Sequence, residues 1–194
     1  RHTRLQGDWS SDVCSSDLQN VASHGYGLCE CAISPDESVI ASWGADRVIR
    51  VSSIMNRRGS FKREIVDNFK GAIADNHRVS YVEFSRDGSE LLSRYENGAV
   101  LLWQLSEVDP KQRIGHGGGL KLARFAQDTH IVSLEESGVF LWARGSGRAI
   151  GRIGNDFEVE TAWLGDEVIV TWSAHSGTKV WDLRSLLNEI GRAH

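Results

Sequence analysis

The segments AVLLW at 99–103, GVFLW at 138–142 and TKVW at 178–181 decide the fold, because each is a strand-like stretch that ends on tryptophan. Trp142 lies 39 residues after Trp103, and Trp181 lies 39 residues after Trp142. An unvarying interval of this length is typical of repeat proteins, in which each unit buries its apolar faces against its neighbours. The chain is therefore read as a series of repeats aligned on these tryptophans.

Outward from the tryptophans, the same order of short strands and turns recurs in four units. Each unit opens with two apolar residues five positions apart: Leu28 and Ile33, Val79 and Phe84, Leu120 and Phe125, and Val159 and Leu164. Turns containing Asp or Gly follow, which suits tight hairpins. Second strands are predicted at 39–42, 90–93, 129–133 and 167–171, third strands at 47–51, 99–103, 138–142 and 178–181, and fourth strands at positions such as 61–65 and 149–153. No segment shows convincing helical spacing, so the fold class predicted is all-β.

Several short motifs stand at matching places in these units. They are AISPD at 32–36, DRVIRV at 46–51, FSRDG at 84–88, GH at 115–116 and WD at 181–182. In their order and spacing, residues 19–189 resemble the WD-repeat family of β-propellers. The resemblance implies a partial β-propeller of about four four-stranded antiparallel blades, with units at about 24–65, 77–114, 115–153 and 155–189. Because such propellers usually have more than four blades, we expect part of a larger ring that associates through an open strand edge and an apolar blade face.

The units also depart from the family pattern. The resemblance implies a hydrogen-bond network of His, Ser or Thr, Asp and Trp, and the first unit offers His24, Ser42 and Asp46 with Val51 at the place expected for tryptophan. The interval from Val51 to Trp103 is 52 residues, thirteen more than the regular 39. We therefore predict an inserted loop at roughly 56–76, between the first two units.

The two ends of the chain share nothing with the periodic middle. Codons that can encode Val13 to Asp17 are the reverse complement of codons that can encode Ile190 to His194, and residues 8–18 resemble a sequencing adapter translated in frame. Such segments are set aside in fold reasoning. We expect 1–18 to be a non-native, disordered tail and 190–194 a second non-native tail, so that 19–189 is the propeller fragment and both natural ends are missing.

Composition narrows the function classes. The net charge of −4 argues against a nucleic-acid surface, and no apolar run reaches the roughly 18 residues of a membrane span. Cys29 and Cys31 stand at strand spacing and make neither a disulfide framework nor a complete zinc set. No metal or cofactor is therefore expected. The compartment stays unknown, with the cytoplasm favoured.

No catalytic constellation is evident either. The run GHGGG at 115–119 resembles the oxyanion-hole motif of some esterases, but no G-x-S-x-G nucleophile elbow accompanies it. We predict a non-enzymatic interaction scaffold that binds a protein or peptide through the loops of one propeller face. The alternative is a regulatory or sensor segment of a larger signalling enzyme, such as an NTPase, protease or kinase, whose catalytic domain is missing.

Candidate partner-binding residues come from two places. The family's docking face implies the loops after the second strands, and aromatic and arginine side chains are enriched at binding hot spots. A locally basic stretch at 57–63 could hold an anionic partner, although a solvated loop is the simpler reading. The candidates are Trp43, Arg47, Arg94, Tyr95 and His175 in the face loops, with Trp43 alternatively packed between blades, and Arg57, Arg58 and Lys62 in the basic stretch.

Overall fold

The computed structural model describes His24 and residues 30–54, 61–66, 77–106, 110–114, 119–153, 159–165 and 167–192, with the backbone alone described at 61–66, 110–113 and 190–192. Within these ranges the chain forms fifteen strands in four antiparallel sheets and one helix. Each sheet follows chain order, so every strand pairs with its sequence neighbour. The four sheets correspond to the four predicted repeats and are named unit 1 to unit 4.

Units 1 and 2 each have four strands. Unit 1 contains β1 (Glu30–Ile33), β2 (Val39–Trp43), β3 (Val48–Ser53) and β4 (Phe61–Val66). Unit 2 contains β5 (Val79–Phe84), β6 (Glu90–Tyr95), β7 (Val100–Gln104) and β8 (Pro110–Ile114).

Unit 3 also has four strands, whereas unit 4 has three and a helix. Unit 3 contains β9 (Leu122–Ala126), β10 (His130–Glu135), β11 (Gly138–Ala143) and β12 (Ala149–Ile153). Unit 4 contains β13 (Thr161–Leu164), β14 (Val168–Ser173) and β15 (Gly177–Asp182), followed by α1 (Leu183–Arg192).

The helix α1 is a correction, because no helix was expected from the sequence. A carboxylate oxygen of Asp182 accepts a hydrogen bond from the Ser185 backbone N–H at 3.1 Å, which is an N-cap interaction. Leu183 is buried, and Leu186 and Leu187 pack against the core. Their spacing puts all three on one helical face. This helical spacing follows directly on a strand and was therefore missed in the sequence. The helix is not long and apolar enough to cross a membrane.

The core lies between successive sheets, in three clusters. Side chains of units 1 and 2 form the first, which includes Val51, Leu91 and Leu101. Units 2 and 3 share a second, and units 3 and 4 share a third. These contacts are named junctions 1–2, 2–3 and 3–4. Each inner sheet is therefore covered on both faces by its neighbours in the chain.

Strand register shows which residues are equivalent between units. Trp103 pairs with Leu91, Trp142 with Ile131 and Trp181 with Ile169. The same place in unit 1 pairs Ile40 with Ser52, and a register shift falls immediately before Ser52, as it does before Trp103 and Trp142. Ser52, and not Val51, therefore stands where the first tryptophan was expected. The prediction of Val51 at this place is wrong, because Val51 lies one residue earlier and faces the opposite side of the sheet.

A backbone hydrogen bond repeats in all four units and supports the same alignment. The residue after the third strand donates its N–H to the carbonyl before the second strand, at 2.9–3.0 Å. The pairs are Ile54 to Ser38, Leu105 to Ser89, Arg144 to Thr129 and Leu183 to Glu167. These four donors are equivalent residues.

The predicted insertion at 56–76 is not one continuous loop. Strand β4 occupies residues 61–66 in the middle of that span and pairs with β3. Residues 56–60 and 67–76 lie outside the described residues. The extra length is therefore divided between the two sides of a regular strand.

Candidate interaction face

The turns after the second strands lie at one end of the sheets, together with the segments before the first strands. We call this surface the loop face; it comprises turns 44–47, 96–99, 136–137 and 174–176 and segments 77–78, 119–121 and 159–160. Backbone hydrogen bonds attach these segments to the neighbouring strands and turns. The Glu96 N–H donates to the Arg78 carbonyl at 3.0 Å, and the Lys121 N–H donates to the Leu134 carbonyl at 2.8 Å. The Arg94 guanidinium donates to the Lys121 carbonyl at 2.7 Å and so bridges units 2 and 3 on this surface.

Gly119 keeps the loop face compact in unit 3. Its φ of +85° is a left-handed conformation that glycine adopts without steric cost. A Cβ atom at this position would lie 2.4 Å from Cγ of Glu136, which belongs to the neighbouring turn. A larger residue would therefore need both this strained backbone conformation and a shift of the Glu136 side chain.

A polar cluster beneath the loop face fixes the first turn. The ring of His24, whose side chain is 1 % exposed, places Nε2 2.9 Å from Ser42 Oγ and Nδ1 2.9 Å from Asp46 Oδ1. Arg50 donates to the second carboxylate oxygen of Asp46. Burial would raise the pKa of Asp46, but the hydrogen bonds from His24 and Arg50 outweigh it and lower that pKa below its ordinary value. The cluster therefore holds an ionised carboxylate at the turn.

Arg47 is exposed on the turn that this cluster fixes. Its backbone N–H donates to the Gly44 carbonyl at 3.2 Å, and the Val48 N–H donates to Asp46 Oδ1 at 3.3 Å. Arg47 also has a φ of +65°, a left-handed conformation that is uncommon for a residue with a Cβ atom. These two hydrogen bonds hold the turn in one backbone conformation, with the Arg47 side chain exposed.

Comparisons with known proteins address the fold. No protein-family profile matches the chain, and no curated protein does. Among solved structures, the chain is similar to the C-terminal WD40 domain of Sif2, with 20 % identity and a TM-score of 0.61. The match covers 79 % of this chain and 45 % of that domain. The fold is a partial WD40-like β-propeller.

Two computationally designed proteins are similar as well. Ika4 shares 20 % identity at a TM-score of 0.61, and the match covers 86 % of this chain and 99 % of Ika4. Ika8 shares 22 % identity at a TM-score of 0.57, with 78 % of this chain and 44 % of Ika8 covered. At these identities the likeness concerns the propeller fold alone.

Two of the aromatic candidates do not reach the propeller surface. Trp43 and Tyr95 are each 4 % exposed and belong to junction 1–2. Each ends the second strand of its unit, with the side chain directed into the junction. Neither ring is available to a partner in this structure, which corrects their assignment as contact residues and favours the alternative of packing between blades for Trp43.

Arg94 is only partly available. Its guanidinium stacks over the Tyr81 ring at 5.4 Å, and its Nε donates to Ser80 Oγ at 3.2 Å. Together with the bond to the Lys121 carbonyl, these contacts make Arg94 a brace across junction 2–3. Burial lowers the pKa of Arg94. A substitution here would disturb folding as well as any binding.

The other candidates divide between exposed and undescribed positions. His175 is exposed in turn 174–176, where its backbone N–H donates to Ser173 Oγ at 3.2 Å. Lys62 lies on β4, where the backbone alone is described. Arg57 and Arg58 lie outside the described residues. Lys121 is an exposed cation of the loop face that sequence reasoning did not single out, because its place just before β9 was its only signal.

Among the described residues, open cavities lie at the opposite end of the sheets. One, of about 380 Å³, lies between the first hairpins of units 1 and 2 and includes Asp36 and Asp87 in its lining. Another, of about 270 Å³, lies between units 2 and 3 and includes Glu83 and Arg86. A hydrogen bond from the Ser34 hydroxyl is the largest influence on Asp36 and helps to lower its pKa to about 2. No group of three or more potential metal-ligating side chains occurs among the residues that the structure describes.

Proposed function

We propose that this chain is a non-enzymatic interaction module that binds a protein or peptide at the loop face, around Arg47 and His175. One observation carries the proposal: the partly buried cluster of His24, Ser42 and Asp46 holds the turn that bears the exposed Arg47. Arginine is enriched at binding hot spots because its planar guanidinium makes several directed hydrogen bonds. The partner is expected to present an acidic side chain to Arg47.

Rigidity supports this assignment. Binding orders the side chains and loops of an interface, and a loop that is already ordered loses less entropy. A backbone hydrogen bond at Arg47 closes the turn at 44–47, the Val48 N–H that follows it donates to Asp46, and a partly buried polar cluster lies beneath it. The β-propeller thus supplies a fixed base for a recognition loop, which is a common use of rigid scaffolds.

Selection of displayed peptides, with and without a charge reversal, tests the proposal. The wild-type chain is expected to enrich a set of acidic peptides, and Arg47→Glu is expected to weaken their binding by about 10-fold to 100-fold, as for loss of a hydrogen bond to a charged group. Arg148→Glu is the matched control, because Arg148 is exposed in the β11–β12 turn at the opposite end of the sheets.

Circular dichroism and melting temperature must match the wild type for both variants. The proposal is contradicted when no peptide is enriched, or when Arg148→Glu weakens binding as much as Arg47→Glu.

A further inference from the structure

A group of cationic residues surrounds Tyr81, between the first strands of units 2 and 3. The guanidinium of Arg94 lies 5.4 Å from the centre of the Tyr81 ring, and that of Arg124 lies 5.9 Å from it. Arg94 also donates to the carbonyl of Lys121, whose side chain is exposed on the loop face. We call these four residues the tyrosine cluster.

The tyrosine cluster carries more positive charge than its neighbouring carboxylate neutralises. Glu83 accepts from Nη2 of Arg124 at 2.9 Å and from the Phe125 backbone N–H at 3.3 Å, so both of its oxygens are used. In the described part of the chain, neither Arg94 nor Lys121 forms an ion pair with a carboxylate. Burial lowers the pKa of Arg94, as expected for a cation that has lost water without gaining a counter-ion.

Several hydrogen-bond donors of the tyrosine cluster have no acceptor among the described residues. They are the Tyr81 hydroxyl, Nη2 of Arg94 and the ammonium of Lys121. Burial, followed by the charge of Glu83, raises the pKa of Tyr81, so the hydroxyl keeps its proton and can donate. The flexible chain of Lys121 lets its ammonium reach a ligand beside Arg94. These donors are therefore placed to serve a ligand that brings its own acceptors.

The position of Arg94 is fixed without using its whole donor set. Ser80 Oγ accepts from Nε of Arg94 at 3.2 Å, and the same hydroxyl donates to the Arg94 carbonyl at 3.1 Å. The Lys121 carbonyl accepts from Nη1. Because the side chain is already ordered, little of its conformational entropy remains to be lost when an anion binds.

We infer that the tyrosine cluster binds the phosphate group of a phosphorylated side chain in a peptide partner. A phosphomonoester carries up to two negative charges and three acceptor oxygens, which match the two cations without a carboxylate and the tyrosine hydroxyl. A nucleic acid is disfavoured, because its successive phosphates would meet a chain with a net charge of −4. That the ligand is a peptide rests on the proposed function, whereas the anion site itself does not.

NMR titration with N-acetyl-phosphoserine N-methylamide, a small peptide-like phosphomonoester, tests the site. The Nε–H signals of Arg94 and Arg124 are expected to shift and to reach saturation. Tyr81→Phe removes one hydroxyl and keeps the ring, and Lys121→Gln removes one exposed cation. Each is expected to raise the dissociation constant about 10-fold. Arg148→Gln is the matched control, since it removes an exposed cation at the opposite end of the sheets and should leave the constant unchanged.

Two further titrations identify the chemistry of the ligand. N-acetyl-glutamate N-methylamide has a carboxylate in place of the phosphate and is expected to bind at least about 10-fold more weakly. Equal binding of the two probes would overturn the choice of phosphate. Inorganic phosphate is expected to shift the same arginine signals. Binding of inorganic phosphate without binding of the phosphoserine probe would overturn the assignment to a peptide.

Circular dichroism establishes that each variant folds, and the exposed Lys121 gives a variant that is expected to fold even if Tyr81→Phe lowers stability. No saturable shift in the wild type, unchanged binding in either folded variant, or equal weakening by Arg148→Gln would each overturn the inference. Selection of acidic peptides depends on Arg47, which these variants retain. Enrichment of Arg47-dependent peptides without a response to the phosphoserine probe therefore rejects this inference alone, and the converse result rejects the proposed function alone.

Discussion

Junctions 1–2 and 2–3 have the same backbone plan but place different chemistry at one pair of equivalent positions. Val39 and Glu90 each begin the second strand, and Leu105 and Arg144 each follow the third. Junction 1–2 thus packs valine with leucine, whereas junction 2–3 pairs a carboxylate with a guanidinium. The same repeated backbone therefore accepts either an apolar pair or an ion pair at these two positions.

The charged pair of junction 2–3 is embedded in further contacts. Nε of Arg144 donates to Glu90, Nη1 donates to the Asp128 carbonyl at 2.7 Å, and the guanidinium lies 5.2 Å from the Phe125 ring centre. The Arg144 and Glu90 side chains are 12 % and 4 % exposed. At this burial the attraction offsets a large desolvation cost, so the two charges depend on each other.

Removing the guanidinium gives the largest expected effect. Arg144→Leu removes the guanidinium that pairs with the buried Glu90 carboxylate, and we expect the free energy of unfolding to fall by about 3–5 kcal/mol. Urea unfolding followed by tryptophan fluorescence measures the change. Arg148→Leu, in the same β11–β12 turn but exposed, is expected to change it by no more than about 0.5 kcal/mol. Equal effects of the two substitutions would show that the ion pair is not a buried one.

Transferring the apolar pair into junction 2–3 is expected to have a much smaller effect. The double substitution Glu90→Val and Arg144→Leu reproduces the Val39 and Leu105 pair of junction 1–2. Replacement of a buried ion pair by packed apolar residues is often neutral or stabilising by about 1–4 kcal/mol. Urea unfolding should therefore show that the double variant regains most of the stability lost in Arg144→Leu. A double variant as unstable as the single variant would mean that the two junctions are not equivalent.

Much of the fold could be predicted because its signals are local and periodic. The tryptophans spaced by 39 residues all donate Nε1 to the hydroxyl of a second-strand Ser or Thr, at 2.7–2.9 Å. Those pairs are Trp103 with Ser93, Trp142 with Ser133 and Trp181 with Thr171. The sequence pattern and the hydrogen bond thus identify the same hairpin in three units.

The errors arose where a side chain's direction decides the outcome. A shift of one residue turns a strand position to the opposite face. The apolar character of a residue therefore does not show whether Val51 or Ser52 stands at the tryptophan position. Trp43 and Tyr95 stand beside turns, but strand alternation directs their rings into junction 1–2. Aromatic character alone does not show which face of a sheet a residue occupies.

The candidate site was only partly predictable for a related reason. Arg47 and His175 lie in turns whose exposure follows from hairpin spacing. The brace from Arg94 to Lys121 joins two units, and the Glu83 to Arg124 pair at 2.9 Å does the same. Contacts between residues in different repeats depend on how the sheets pack, so no local pattern in the sequence specifies them.

The central claim is that one junction surface is repeated along the chain, so that a following unit buries strand positions that are otherwise exposed. Hydroxyl-radical footprinting, read as an oxidation rate for each tryptophan by mass spectrometry, tests it most directly. Trp163 and Trp172, which are 61 % and 42 % exposed, should oxidise several-fold faster than Trp43 and Trp103, which are 4 % and 1 % exposed. Four similar rates would contradict the account.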